Sequence, residues 1–248
     1  MEEVQLAALK KREGSECLDR WGLSALRVGK FRYDFSGDVE SRDAAKFVTG
    51  LLGTAGVRSW LNGSAAPDAA VGAERLRTRA VSMALFDPVV DCGDIVTPAG
   101  SIRQCPEVAL GGVPADDELR KWLLALAGHA PPEDDVEDLE AATVPLAENA
   151  QDELLFRLFS LLAIGGKMCQ ADYALQPYLD LTKALYRDVA TVYRRSADKE
   201  VAIATKAFAL SGPAVFGADD ARRVCLLMVE PKKRTATIIH SDCAKGAW

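Results

Sequence analysis

The chain has 248 residues, 49% of them hydrophobic and 27% charged, with a formal net charge of −6. That length and apolar content suit one globular domain or two small ones with a full core, while the acidity argues against a protein that coats nucleic acid through its phosphates. No apolar run reaches the roughly 18 residues of a membrane helix, and the charged opening MEEVQLAALKKREGSE lacks the apolar stretch of a secretory leader. A soluble, intracellular protein is expected.

In chain order, residues 2–12 read as a helix closed by Lys10, Lys11 and Arg12. In VGKFRYDF, Phe31, Tyr33 and Phe35 alternate with Lys30, Arg32 and Asp34, which predicts a strand with aromatics on one face. Asp43 to Leu52 reads as a short helix stopped by Gly53. The Gly- and Ala-rich stretch that follows is expected to be loop in part. AVSMALF at 80–86 reads as a buried strand. Two short extended pieces, DIV and SIRQC, flank a turn at Pro98-Ala99-Gly100. Asp116, Asp117 and Glu118 open a helix that Gly128 stops.

Residues 131–150 are the best linker candidate, with the pair Pro131-Pro132 and the acids Glu133, Asp134, Asp135, Glu137 and Asp138. In 151–192, Leu154, Leu155, Leu158, Phe159 and Leu162 mark one apolar helical stripe. Tyr178, Leu181, Leu185, Val189 and Val192 mark a second. Asp152 and Glu153 suit the first turn of the first helix, where the dipole favours negative charge. Gly165 and Gly166 suit its end, and Pro177 suits the start of the second helix. The two pack as a hairpin. KEVAIATKAFAL then reads as a strand, and RVCLLMVE and RTATIIHS form a β-hairpin around Pro231-Lys232-Lys233. The whole is an α+β fold: a helical hairpin and further helices on a mainly antiparallel sheet, with a C-terminal β-hairpin. It is read as one domain over 1–248 with an acidic loop or linker at 131–150.

Chemical motifs are sparse. The two histidines, His129 and His240, belong to no HExxH, and neither a GxSxG nor a phosphate-binding glycine loop occurs. The six cysteines, at 17, 92, 105, 169, 225 and 243, include no CxxC pair and are expected to be free thiols. Cys225, His240 and Cys243 give three potential ligands where a zinc site needs about four. Packed side chains are the simpler account, with a small metal or redox module as the alternative. Cys169 is read as structural or, at a helix junction, as a reactive thiol. Charge is uneven: residues 131–185 hold 11 acids and 3 bases, and residues 186–248 hold 7 acids and 11 bases. That polarity suits a partner of complementary charge.

The string QDELLFRLFSLLAIGGKMCQADYALQPYLDLTKALYRDV is the most distinctive stretch. It resembles the cilia- and flagella-associated protein 300 family. Within it Gly165, Gly166, Cys169, Gln170, Tyr178, Thr182 and Lys183 carry the resemblance and are the candidate partner-binding residues. Leu18, Arg20, Trp21 and the Phe31–Phe35 aromatics are similar to the family's N-terminal block. So are Asp94-Ile95-Val96 and Ile102-Arg103-Gln104-Cys105 to a middle block, Asp117-Glu118-Leu119-Arg120 to another, and VEPKKRTATIIHSDC to its ending. The stretches 53–80 and 131–150 depart from the family pattern.

The resemblance implies a non-enzymatic protein with no cofactor, acting in assembly and intraflagellar transport of axonemal outer and inner dynein arms and needed for cilium motility. Its expected partners are dynein axonemal assembly factors and co-chaperones, and axonemal dynein subunits or the intraflagellar transport machinery. No nucleic acid or membrane partner is expected. Its expected places are the cytoplasm and the cilium or flagellum axoneme. Tyr178 or Trp122 would anchor such a partner. An enzyme using a cleft between the helical hairpin and the C-terminal strands is the other class of reading.

Overall fold

A computed structural model describes residues 2–3, 5–35, 39, 44–61, 71–129, 142–166, 169–196, 199–213, 215–216 and 222–242. Its centre is a six-stranded antiparallel sheet. The strands are β1 (Glu2–Glu3), β2 (Arg27–Arg32), β3 (Gly72–Leu76), β8 (Lys206–Ser211), β9 (Arg223–Glu230) and β10 (Thr235–Asp242), in the order β1-β2-β10-β9-β8-β3. Two hairpins stand apart from it: β4 (Gln104–Leu110) with β5 (Val113–Asp117), and β6 (Val192–Arg194) with β7 (Val201–Ile203).

The near-continuous apolar runs of β9 and β10 are explained by burial on both faces. Strand alternation sends Leu226, Met228, Ile239, Val28 and Ala207 into one core. Their neighbours Leu227, Val229, Ile238, Phe208 and Phe31 enter a second. The second core is closed by α3 (Ala44–Gly53) and α4 (Ala55–Trp60) through Phe47, Val48, Leu51, Val57 and Trp60. The first is closed by α1 (Ala7–Lys10), α2 (Arg12–Arg20), α6 (Glu118–Leu126), α7 (Leu154–Ile164) and α8 (Gln176–Val189). A short helix, α5 (Asp87–Val90), adds Val89 to it.

The expected helical hairpin is α7 and α8, with Pro177 in the first turn of α8. α8 lies on α1 as well, where the Ala8 N–H donates to Asp188 Oδ2 at 2.7 Å. The expected C-terminal hairpin is β9–β10. Asp117 caps α6, its Oδ1 accepting from the Arg120 N–H at 2.7 Å. The turn Gly111-Gly112 joins β4 to β5 with both φ positive, as a two-residue hairpin turn requires.

Several expectations are corrected. Residues 2–12 are not one helix: β1 pairs with β2, and α1 and α2 meet at an extended Lys11 with ψ of 140°. Residues 83–86 form a 3-10 turn rather than a buried strand, because Phe86 alone of the four is buried. Residues 55–60 form α4, whose signal the flanking glycines obscured. KEVAIATKAFAL is two strands in different sheets, broken at Ala204-Thr205, where the Thr205 hydroxyl accepts from the Thr191 N–H at 2.9 Å. Glu153 is not in the first turn of α7. It precedes that turn, and its carboxylate accepts the Arg79 and Ala80 N–H groups at 3.0 and 3.2 Å. Val192 is not in the α8 stripe; α8 ends at Val189, and Val192 lies on β6 with 61% of its surface exposed. The acidic run 133–138 lies outside the described residues.

Candidate functional site

The chain leaves α7 at Gly165 with φ of +69°, and the residue is glycine for two reasons. The first is that φ itself. The second is space: a Cβ there would lie 2.7 Å from the Trp21 carbonyl oxygen and 2.6 Å from Cys169 Sγ. Gly166 then donates its N–H to the same Trp21 oxygen at 2.8 Å, and Gln170 donates its N–H to the Arg20 oxygen at 2.7 Å. The Gly-Gly-x-x-Cys-Gln junction is thus laced, backbone to backbone, onto the end of α2.

Side chains tighten the same seam. Trp21 and Tyr178, both buried, stack with ring centroids 4.4 Å apart and planes inclined by 23°. Asp172 Oδ2 accepts from Trp21 Nε1 at 2.9 Å and from Arg20 at 3.0 Å. The Asp172 N–H donates to the Tyr178 hydroxyl at 2.9 Å. Burial raises the Tyr178 phenol's pKa, so the hydroxyl remains protonated. Thr182 is fully buried and returns its hydroxyl to the Tyr178 carbonyl at 2.6 Å.

The loop also reaches the middle of the chain. The Ile102 N–H donates to the Tyr173 oxygen at 2.7 Å, Ser101 pairs with Ala174, and the Leu175 N–H donates to the Gly100 oxygen at 3.2 Å. From there Arg103 bonds back to Ile95 and its carbonyl takes the Glu118 N–H at 2.9 Å. Next to the loop sits a buried ion pair, Arg120 Nε with Asp117 Oδ2 at 2.8 Å. Burial lifts the Cys169 thiol to about 11, with Arg120 pulling the other way. Cys169 is therefore a packed thiol at neutral pH and not a thiolate nucleophile.

Of the residues singled out by sequence, five act inside this junction: Gly165, Gly166, Cys169, Tyr178 and Thr182. Only Gln170 and Lys183 face solvent. Tyr178 and Trp122, expected as partner anchors, are 1% and 4% exposed and packed in the core. Asp172, which ties Trp21 to Tyr178, carried no sequence signal, because a single acid in a polar loop looks like any other.

Cys225 and His240 face each other across β9 and β10. The His240 ring stacks on Phe216, with centroids 5.1 Å apart, and meets the edge of Trp60. Cys225 is buried and its pKa is raised by that burial. Cys243 lies outside the described residues. Among the described residues, no three His, Cys, Asp or Glu side chains gather as a metal would require. A cleft of about 690 Å³ lies between α6, α7 and the strands β8 and β9, with no α8 residue in its lining; Phe156, Arg157, Ser160, His129 and Arg223 reach it. The described residues lining it include no carboxylate; Arg157 and Arg223 pair with Glu74 and Asp242, which lie outside the lining.

Comparison with known proteins matches residues 1–241 to the family model for cilia- and flagella-associated protein 300. A protein of that name from Paramecium tetraurelia is 29% identical over 237 residues, spanning 93% of this chain and 87% of the relative. Another from Chlamydomonas reinhardtii is 28% identical over 182 residues, spanning 70% and 66%. No solved structure matches.

Proposed function

The chain belongs to the cilia- and flagella-associated protein 300 family, and from that membership we propose that it acts in assembly and intraflagellar transport of the axonemal outer and inner dynein arms. It does so as a non-enzymatic binding protein, in the cytoplasm and in the cilium. Its partners are dynein axonemal assembly factors with their co-chaperones, and dynein subunits or the transport machinery.

The observation that carries this reading is the extent of the family match, residues 1–241, rather than any one motif. The architecture agrees with a binding role. The residues that mark the family at 165–182 are used to join distant parts of the chain, as the Gly166 and Gln170 bonds to α2 illustrate. A scaffold fixed that way presents its outer surface to partners.

The deciding experiment removes the gene from a motile ciliated cell and counts dynein arms in axoneme cross-sections. Loss of both arm rows, restored by the intact chain, is the expected result. Full arms with immotile cilia would refute the reading.

A further inference from the structure

α7 reads LLFRLFSLLAI, and Arg157 and Ser160 are its only polar residues. Their spacing puts them on one face of the helix with Leu161 and Ile164. All four line the cleft between α6, α7 and the strands β8 and β9. Its volume, about 690 Å³, is that of a small-ligand site.

Strand register defines the opposite wall. Leu226 lies across from Ala209 on the face of the sheet that α7 covers, and Val224 continues that face two residues back. Glu74 stands opposite Ala209 on β3, on the same face, and there it meets Arg157. Leu126 of α6 adds a further apolar wall. His129 and Arg222 also line the cleft, and among the described residues no carboxylate does.

Arg157 is poorly satisfied where it stands. Its Nε is buried and has no hydrogen-bond partner among the described residues. Its Nη2 reaches both oxygens of Glu74 only at 3.4 Å, and Glu74 is 58% exposed. Exposed pairs of this kind hold little. A half-buried arginine with an unpaired donor costs stability, and a methionine would fill the same space without that cost. What the arginine adds is a positive charge in the wall of an apolar cleft.

We propose that this cleft binds a small amphiphilic carboxylate, with an apolar body the length of a medium-chain acyl group. The carboxylate accepts from the Arg157 guanidinium and the Ser160 hydroxyl and takes the place of Glu74. The body lies between Leu161 and Ile164 of α7 and Val224 and Leu226 of β9. The planar fork of an arginine matches a carboxylate. From Arg157 to Ile164 the helix rises about 10 Å, which sets the length of the body. The inference does not rest on the ciliary role.

The test is isothermal titration calorimetry of the full chain with decanoate, decanol and acetate. One decanoate should bind per chain. Decanol, without the charge, and acetate, without the body, should each bind at least about tenfold more weakly. Arg157→Met should weaken decanoate by at least about tenfold and leave decanol unchanged. Its melting temperature without ligand should equal or exceed the parent's, so that lost binding is not lost folding. Ser160→Ala, a smaller change, should weaken decanoate too and keeps the test sound if Arg157→Met melts lower. Glu74→Gln should strengthen decanoate binding, because the competing carboxylate is gone. No binding of decanoate overturns the proposal, as does equal affinity for decanoate and decanol. So does parental affinity for decanoate in both Arg157→Met and Ser160→Ala. A peptide ending in Leu-Phe that binds more tightly than decanoate and displaces it would give the cleft to the C-terminus of a partner protein and overturn it as well.

Discussion

Trp21 and Tyr178, 157 positions apart in sequence, stack face to face at 4.4 Å, and Asp172 is bonded to both. This pair closes α2 onto the start of α8 and traps the loop between α7 and α8 beneath it. Trp21→Ala is expected to cost about 3–5 kcal/mol, as for other large aromatic deletions in cores. Tyr178→Phe keeps the stack and removes only the acceptor of the Asp172 N–H, so about 1–2 kcal/mol is expected. Urea unfolding of Trp21→Ala, Tyr178→Ala and the double variant measures the coupling between the two rings. Additive losses would mean that the stack contributes nothing of its own.

Gly165→Val should be worse than a helix-end substitution normally is. A β-branched residue resists the +69° φ, and its Cβ meets a backbone oxygen that cannot swing away. A loss of about 2–4 kcal/mol is expected from the backbone strain and the clash together. At roughly 2–4 °C per kcal/mol for a chain of this size, the melting temperature should fall by at least about 4 °C. Gly53→Ala is the control: it has open space around it and no positive φ. Its melting temperature should equal or slightly exceed the parent's.

The junction also explains what the sequence could and could not disclose. The α7 and α8 stripes were legible because an amphipathic helix repeats its apolar positions, and the Phe31–Tyr33 alternation disclosed a strand the same way. Both-face burial of β9 and β10 was present in their unbroken apolar runs. What the sequence hid was pairing at a distance. Periodicity cannot say that Gly166 binds Trp21, or that Asp172 joins Trp21 to Tyr178. Nor could it end α8 at Val189, because Val192 keeps the helical spacing while belonging to β6. The family-marking residues looked like a partner surface in the sequence, and most are a seam.

Cys169 should make stability depend on alkaline pH. Its folded pKa, about 11, stands above the ordinary thiol value of 9, chiefly through burial. The native state therefore holds the proton over a range where the unfolded chain has lost it. The stabilisation is complete below pH 9 and is lost as pH rises toward 11, with a slope of at most about 1.4 kcal/mol per pH unit. Cys169→Ala should flatten this limb relative to the parent between pH 8.5 and 10.5; tyrosine titration, near 10 in the unfolded chain, is common to both proteins and cancels in the comparison. Parallel stability curves for the two proteins would show that the thiol is not coupled to folding.

Arg120 and Asp117 are 7% and 3% exposed and make a buried pair that also caps α6. Removing Asp117 leaves the buried Arg120 with the exposed Asp116, at 2.6 Å, as its counter-ion, so Asp117→Ala is expected to cost about 2–3 kcal/mol, less than a fully stranded buried charge. Part of that loss is the cap, typically about 1 kcal/mol. In D117N/R120M the buried cation is gone and an Asn still caps the helix. The double variant should therefore recover more than half of what Asp117→Ala loses, read as the midpoint of chemical denaturation. A double variant as unstable as Asp117→Ala would mean that the ion pair itself, rather than relief of a poorly paired charge, holds this corner of the junction together.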